Sequence, residues 1–308
     1  MQKYTVAQFI REFATERACV EHIARLRWPR GIECPKCQDH TTHYLIEKRK
    51  CYECKECGTQ TYPTVDTIFH KSRTPLTVWF YVVFQMAKTR TGVSAKQIER
   101  ETGVTYKTAW RMCTLVRAAL ANAEDAEPLR GVVEADETYV GGKPRYKGQR
   151  RRRSWDEKTA VVGAVERGGS VRAWVVPFVR GLTVMPLLEA NVEEGATVYT
   201  DESGVYNRLS ERGYGHDTVK HRKMEYVREE TDPETGEVHS VHTNSIEGFW
   251  SQVKGGVTSV HRGVSRKYLQ RYLDEFAFRY SHARAEEPMF SAMLSQISSA
   301  GQPSATLS

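Results

Sequence analysis

The chain has 308 residues, 40% of them hydrophobic, which is enough for two or three domains and at least one sizeable core. Lysine and arginine outnumber aspartate and glutamate by 45 to 38, so the net charge of +7 permits a polyanionic partner without requiring one. The sequence has no apolar run near the roughly 20 residues of a membrane span, and its N-terminus lacks the layout of a secretory signal. These features predict a cytoplasmic protein with no membrane partner, in which clustered cysteines bind metal rather than form disulfides.

The cysteines indicate a zinc ribbon over residues 31–73, after an N-terminal segment (1–30) whose apolar spacing predicts one or two short helices. Two Cys-x-x-Cys knuckles, separated by sixteen residues, supply four candidate ligands: Cys34, Cys37, Cys54 and Cys57. This spacing is typical of a structural Zn²⁺ site with no open position. Cys51 offers a third knuckle with Cys54, but we prefer Cys54 and Cys57 because Gly58 allows the chain to reverse after them. Such a ribbon either contacts DNA or only stabilises a small subdomain.

Residues 74–121 are helical in pattern and contain a candidate helix-turn-helix. Ser94–Glu101, the glycine-bearing turn Thr102–Val104 and Thr105–Met112 follow the plan of that motif, although an ordinary helical hairpin has the same plan. Its position soon after a zinc ribbon favours the DNA-reading interpretation. The second helix would present five side chains to a major groove: Thr105, Tyr106, Lys107, Thr108 and Arg111.

An acidic, proline-containing linker (122–130) precedes a change of pattern. Short β-type runs follow at Gly131–Ala135, Thr159–Val165, Val171–Val176 and Thr197–Thr200, and helical patterns return at about 183–191, 245–255 and 266–280. This alternation predicts an α/β domain over 131–285. We expect residues 286–308 to form a partly disordered C-terminal tail, since the last residues have little to bury.

Three acids of this domain are candidates for metal-dependent catalysis. Asp136 and Asp201 each follow an apolar β-run, and Glu247 lies in the segment that opens a helix. Acids on neighbouring strands and on a covering helix can converge on two Mg²⁺ (or Mn²⁺) ions, which activate a phosphodiester for attack. Lys254, seven residues after Glu247, projects from the same helical face and suits an adjoining phosphate. Taken singly, the aspartates also fit solvated strand ends, and Asn244 with Glu247 fits a helix capping box.

A strongly basic loop lies between the first two predicted strands. Its seven basic residues are accompanied by no acid: Lys143, Arg145, Lys147, Arg150, Arg151, Arg152 and Arg153. The loop can hold DNA near Asp136 through counterion release, and it fits a solvated loop equally well.

Several strings, in this order, resemble the zinc-ribbon DDE transposases of bacterial insertion sequences, the ISXO2-like family related to Merlin elements. They are Arg27-Trp-Pro, the paired knuckles, Thr67-Ile-Phe-His-Lys-Ser72, Thr74-Pro-Leu76, Asp136-Glu-Thr-Tyr-Val-Gly-Gly142 and His242-Thr-Asn-Ser-Ile-Glu-Gly-Phe-Trp250. The resemblance runs from about residue 8 to about residue 285.

The resemblance implies an RNase H-like catalytic domain in which Asp136, Asp201 and Glu247 hold divalent metal and Lys254 trails the third acid. It implies cutting at the inverted-repeat ends of a mobile element and joining of the freed 3′ hydroxyls to target DNA, by a homodimer or larger assembly on the nucleoid. Many relatives have asparagine as the third residue, so Asn244 is a second candidate; we rank Glu247 first because a carboxylate binds Mg²⁺ better than an amide. A DNA-binding regulator and a nuclease that cuts without joining are the alternative functions.

Overall fold

The computed structural model of the chain describes residues 4–121, 127–141, 158–219, 227–231 and 238–299. The chain divides into two compact units, of which the first combines residues 1–122 with 284–308 and the second comprises residues 123–283. None of the helices in these described ranges is long and apolar enough to cross a membrane.

The first unit begins with two short helices, α1 (Val6–Glu12) and α2 (Glu16–Arg27). Each begins after a threonine whose hydroxyl accepts a hydrogen bond from a backbone amide of the first turn, Thr5 for α1 and Thr15 for α2. These caps satisfy amides that have no partner within the helix. The prediction of one or two helices before residue 30 is therefore confirmed.

The cysteine-rich region forms two small antiparallel sheets. The first pairs β1 (Glu33–Cys34) with β2 (Asp39–His40), and the second has the order β3-β4-β5, from His43–Ile46, Cys51–Cys54 and Gln60–Thr61. Both sheets are too small to have a large apolar core. Their stability therefore has to come largely from elsewhere, as in other small metal-bound domains.

Three helices follow, α3 (Leu76–Lys88), α4 (Ala95–Thr102) and α5 (Tyr106–Leu120). The side chains of Ser94 and Thr105 cap α4 and α5. Between these two helices Gly103 adopts φ +74°, a left-handed conformation that ends α4 and is favourable for glycine. The predicted succession of helix, glycine turn and helix is present.

The second unit is built on a five-stranded mixed sheet. Its strands are β6 (Val132–Val140), β7 (Thr159–Glu166), β8 (Val171–Val175), β9 (Thr197–Asp201) and β10 (Gly215–Val219). The spatial order is β10-β9-β6-β7-β8, with β6, β7 and β8 antiparallel and with β9 parallel to both β6 and β10. The predicted α/β character is confirmed, and β10 is an additional strand.

Helices cover both faces of this sheet. On one face α6 (Gly181–Asn191) contributes Val184 and Leu188 to a core with alternate residues of β6 and β7. After the hairpin of β11 (Arg228–Thr231) and β12 (Val238–Val241), the other face is covered by α7 (Asn244–Gly255) and α8 (Arg266–Ser281). The sheet is therefore buried on both sides, which explains why β7 is an almost unbroken apolar run.

The last described helix, α9 (Met289–Ser299), belongs to the first unit and packs against α2, α3 and α5. Phe290 is buried, with its ring centroid 5.7 Å from those of Phe9 and Phe13 and 5.8 Å from that of Phe84. The structure thus differs from the expected tail over 286–308, because Met289, Phe290, Met293, Leu294 and Ile297 are buried on one apolar face. Residues 300–308 lie outside the described residues.

The first strand of the sheet is longer than the predicted run Gly131–Ala135. We expected Asp136 on or just past this strand, and β6 continues to Val140, whose partner on β7 is Thr159. The cause is the long antiparallel pairing with β7, which extends beyond the point where β6 stops pairing with β9 at Glu134. Asp136 therefore lies on the strand, four residues before its end.

Candidate metal centres

The four predicted zinc ligands come together in the first unit. The sulfur atoms of Cys34, Cys37, Cys54 and Cys57 all lie within 4.8 Å of one another. Sγ of Cys34 is 3.5 Å from that of Cys57, and Sγ of Cys37 is 3.9 Å from that of Cys54. Tetrahedral Zn–S bonds of about 2.3 Å place the sulfur atoms about 3.8 Å apart, so the cluster fits zinc. Cys51 is buried outside the cluster, which leaves Cys54 and Cys57 as the second pair.

Both knuckles turn in the same way. The residue after the second cysteine of each knuckle has a left-handed backbone, with φ 56° at Gln38 and 71° at Gly58. Their amides donate hydrogen bonds to the carbonyl oxygens of Cys34, at 2.8 Å, and Cys54, at 2.9 Å. Gly58 thus occupies the kind of turn that was expected of it, while Gln38 adopts the same turn without the freedom of glycine.

Two threonine hydroxyls prepare the second knuckle for a cation. The Thr41 hydroxyl lies 3.0 Å from Sγ of Cys54, and the Thr59 hydroxyl lies 3.1 Å from Sγ of Cys57. Hydrogen bonding with Thr59 lowers the pKa of Cys57 to about 6, and hydrogen bonding with Thr41 lowers the pKa of Cys54, whereas hydrogen bonding with Cys57 and burial raise the pKa of Cys37 to about 12. Cys54 and Cys57 are thereby biased towards the thiolate form that binds metal.

A second cluster, in the α/β unit, consists of acids. Carboxylate oxygens of Asp136, Glu137 and Asp201 lie within 4.8 Å of one another. The parallel pairing of β6 with β9 ends at Glu134 and Tyr199, and Asp136 and Asp201 come two residues later on the respective strands. The register of two neighbouring strands therefore brings together two of the three predicted catalytic acids.

The acids of this cluster are poised to receive a cation. Burial, with the negative charges of Glu137 and Asp201, raises the pKa of Asp136 to about 7, although the Trp250 indole donates a 3.0 Å hydrogen bond to Asp136 Oδ2. Burial also raises the pKa of Glu137. An oxygen-only set of acids that repel one another suits a hard divalent ion such as Mg²⁺ or Mn²⁺, which would relieve the repulsion.

Glu137 is a member of the cluster that the sequence reasoning missed. Its Oε2 accepts a 2.7 Å hydrogen bond from the hydroxyl of Tyr206, a fully buried side chain just after β9. On the same segment, the Ser203 amide donates a 3.0 Å bond to Asp201 Oδ1. The segment that follows β9 thus orients two of the three carboxylates.

The candidates on α7 lie on its exposed face. Glu247 is not among the acids within 4.8 Å of one another, and its Oε1 accepts a 3.2 Å hydrogen bond from the Thr243 hydroxyl. Asn244 and Lys254 are likewise exposed, as is Ser251 between Glu247 and Lys254. The face predicted to carry Glu247 and Lys254 therefore exists, opposite the buried side chains Ile246, Phe249, Trp250 and Val253.

The capping-box interpretation of Asn244 with Glu247 is wrong. The N-cap of α7 is Thr243, and Asn244 is the first residue of the helix. The helix begins one residue earlier than the box requires, because its first amides are satisfied by an acid from the sheet. Asn244 and Glu247 therefore do not form the predicted box, and Glu247 is hydrogen-bonded by the hydroxyl of Thr243.

The residues predicted to read DNA lie around the start of α5. Thr105, Tyr106, Lys107 and Arg111 are exposed, and Thr108 is half-buried. Thr105 also caps the helix, since its hydroxyl oxygen accepts a 3.3 Å hydrogen bond from the Thr108 amide. The basic loop of Lys143, Arg145, Lys147 and Arg150 to Arg153 lies outside the described residues.

Comparisons with known proteins show that each cluster lies in a region that matches a transposase domain family. Residues 128–281 match the ISXO2-like transposase domain, and residues 14–60 match the transposase zinc-ribbon domain. A protein of Halobacterium salinarum, described as an uncharacterized protein in transposable element ISH50, is 30% identical over 289 residues, which cover 88% of this chain and 92% of that protein.

Two solved structures are more distantly similar. A pre-cleavage Mos1 transpososome matches 71% of this chain and 75% of that chain at 10% identity, with a TM-score of 0.30. The Mos1 strand transfer complex matches 70% and 77% at 11% identity, with a TM-score of 0.25. The family matches, with the observed sheet and cysteine cluster, confirm the predicted α/β domain, of the ISXO2-like transposase family, together with a zinc ribbon.

Proposed function

Because this chain belongs to the ISXO2-like family of transposases, we propose that it cleaves DNA at the inverted-repeat ends of an insertion sequence and joins the 3′ hydroxyl ends to target DNA. The carboxylate cluster of Asp136, Glu137 and Asp201 carries this proposal, since it lies inside the matched catalytic domain. The protein would act in the cytoplasm on nucleoid DNA, as a homodimer or larger assembly.

In this proposal Asp136, Glu137 and Asp201 hold divalent metal, and α7 supplies a further ligand from Glu247 or Asn244. Two Mg²⁺ or Mn²⁺ ions bound there would activate the attacking oxygen and stabilise the leaving oxygen of a phosphodiester. The protein's own contribution is to fix the acids: Tyr206 holds Glu137, Trp250 holds Asp136, and the Ser203 amide holds Asp201. Lys254 is exposed on the same face of α7 as Glu247 and would bind a DNA phosphate.

A strand-transfer assay tests the catalytic proposal. The substrate is DNA that carries candidate terminal inverted repeats of the element, and the variant is Asp201→Ala, with Glu202→Ala as the matched control because Glu202 is the exposed neighbouring acid. We expect Asp201→Ala to lose roughly 10³-fold or more in cleavage, on the order of 4 kcal/mol of transition-state stabilisation, and Glu202→Ala to stay near wild type. Undiminished joining by Asp201→Ala would remove Asp201 from catalysis. Cleavage without joining by the wild type would favour a nuclease.

The start of α5, the second helix of the proposed helix-turn-helix, is the proposed reader of the element's ends. We expect Lys107→Ala to weaken DNA binding and to reduce the slope of log K against log salt by about 1, because one phosphate contact is lost. Arg17→Ala is the control, since Arg17 is exposed but already paired with Glu21 and Glu47, at 2.8 Å each. An equal loss in both variants would mean that α5 has no special part in binding.

A further inference from the structure

Beneath the carboxylate cluster lies a second, buried acid that the proposed chemistry does not use. Glu134 on β6 has no exposed surface, yet its carboxylate is surrounded by donors. Oε1 accepts from Arg167 Nε at 2.8 Å and from the Ser245 hydroxyl at 3.0 Å, and His242 Nδ1 lies 3.1 Å away. Oε2 accepts from the amides of Ser245, at 2.7 Å, and Ile246, at 3.2 Å. A buried carboxylate with this many partners is fixed in position.

The two amides bonded to Glu134 show what this acid does for α7. They belong to the second and third residues of the helix, whose amides an N-cap side chain would normally satisfy. The N-cap residue Thr243 makes no such bond, and its hydroxyl donates to Glu247 instead. Glu134 therefore caps α7 from the neighbouring sheet, where its negative charge also suits the positive end of the helix dipole.

Arg167 extends this contact to two further elements. Its Nη1 donates to the carbonyl of Ser240 at 2.6 Å and its Nη2 to that of His242 at 3.0 Å, which fixes the chain between β12 and α7. The guanidinium also lies over the ring of Tyr199 on β9, 4.8 Å from its centroid. The Arg167 amide donates to the carbonyl of Val132 on β6 at 2.9 Å. The Arg167 side chain thus contacts β6 through Glu134, β9 through Tyr199 and the chain just before α7.

The residues that Arg167 contacts on β6 and β9 lie on the same strand faces as two candidate metal ligands. Glu134 precedes Asp136 by two residues and Tyr199 precedes Asp201 by two, so each pair lies on one face of its strand. Building on the proposed function, we propose that Glu134 and Arg167 are positioning residues that hold the first turn of α7 in register with β6 and β9. Through this pair the α7 ligand, Glu247 or Asn244, is set against the acids of the sheet.

A buried ion pair can also serve stability alone, and the same unit contains a matched control for that role. Glu275 and Arg279 on α8 form an ion pair of 2.6 Å, with side-chain exposures of 0% and 9%. Both residues belong to α8, whereas the proposed junction joins β6, β9 and the first turn of α7. The variants Glu134→Gln and Glu275→Gln therefore remove equally buried charges, only one of which is at the proposed junction.

The experiment uses the full-length, zinc-loaded protein and Mn²⁺ as the probe. Binding of Mn²⁺ is followed by electron paramagnetic resonance, thermal unfolding gives Tm, and hydrogen exchange reports the Ser245 and Ile246 amides. We expect both glutamine variants to lower Tm, but only Glu134→Gln to raise the half-saturating Mn²⁺ concentration, by roughly 10-fold or more, as other ligand-orienting contacts do. Arg167→Lys should produce a smaller shift in the same direction, since an ammonium cannot reproduce the planar set of bonds.

Asp136→Asn separates this proposal from the function on which it rests. If Asp136→Asn leaves Mn²⁺ binding unchanged, the metal site itself is wrong. If Asp136→Asn removes that binding while Glu134→Gln lowers Tm without changing it, the pair is structural only and the positioning role is overturned. Faster exchange at the Ser245 and Ile246 amides together with weaker Mn²⁺ binding, seen in Glu134→Gln and absent in Glu275→Gln, supports the proposal.

Discussion

The two clusters of this protein are built in opposite ways. The cysteine cluster takes its four ligands from two turns close in sequence, and threonine hydroxyls lower the pKa of two of its thiols. The carboxylate cluster takes its acids from strands that are 65 residues apart, and burial with mutual repulsion raises the pKa of Asp136. A four-cysteine cluster of this kind stabilises its fold through bound zinc, whereas acids that repel one another reduce stability unless a bound cation neutralises them.

Removal of zinc should cause the largest loss of stability and is the strongest test of this contrast. We expect Cys57→Ser, or a chelator, to unfold the ribbon, because four-cysteine sites contribute on the order of 10 kcal/mol to folding. Hydrogen exchange of residues 31–73 and zinc stoichiometry would measure the loss. Cys51→Ala is the control: Cys51 is as buried as Cys34 but lies outside the cluster, so zinc should stay bound. A ribbon that stays folded without zinc would contradict the assignment, and Mn²⁺ binding at the acids should persist in every case.

Substitution of an acid in the carboxylate cluster should raise thermal stability, by less than the loss of zinc lowers it. We expect Asp136→Asn to abolish cleavage yet to raise the Tm of the metal-free protein at pH 8. The folded-state pKa of about 7 lies above the ordinary value of 3.8, so the ionised acid opposes folding. A pKa difference of one between the folded and the unfolded state corresponds to about 1.4 kcal/mol of unfolding free energy. A change of 1 kcal/mol shifts Tm by roughly 2–4 °C in a domain of this size.

The sign of the pH dependence follows from the same shift. Below the unfolded pKa the acid is neutral in both states and costs nothing; the cost grows as pH rises from 3.8 to about 7 and is constant above that. The gain from Asp136→Asn should therefore be smaller at pH 5 than at pH 8. Saturating Mn²⁺ should stabilise the wild type more than the variant. A variant less stable than the wild type at pH 8 would show that Asp136 serves the fold.

The smallest expected changes in stability come from two glycine substitutions, one on β7 beneath Trp250 and one on α7. A Cβ at Gly163 on β7 would lie 2.7 Å from Cη2 and Cζ2 of Trp250, whose indole holds Asp136. We expect Gly163→Ala to destabilise by about 1–3 kcal/mol through overpacking and to shift the fluorescence of Trp250. Gly248→Ala on α7 meets nothing within 4 Å and should stabilise by about 0.5–1 kcal/mol. Equal thermal shifts in both variants would show that Gly163 is not a close-contact site.

The same contrast explains what sequence reasoning could predict. The zinc ligands are adjacent in sequence and their turn residue Gly58 is visible, so the ribbon follows from spacing alone. Asp136 and Asp201 were found because each follows an apolar run. Glu137 was missed because successive residues of a strand point to opposite faces, and only the longer glutamate side chain, held by Tyr206, reaches the cluster.

Other omissions have equally specific causes. The strand Gly215–Val219 contains histidine, aspartate and threonine, so no apolar run marks it, and it is defined by parallel pairing with β9. The apolar residues of α9 were overlooked beside the polar end of the chain, and their partners lie in α2, α3 and α5. Glu134 was not singled out in the predicted run Gly131–Ala135, because the groups that contact its carboxylate come from more than 30 residues away.

The return of α9 to the first unit has a consequence for the order in which the protein matures. During synthesis, the aromatic side chains around Phe9 and Phe84 leave the ribosome long before Phe290, which completes their packing. The intervening α/β unit is finished earlier and contains its own sheet and covering helices. The last aromatic side chain of the first unit's core is therefore synthesised only after every residue of the α/β unit, the carboxylate cluster included.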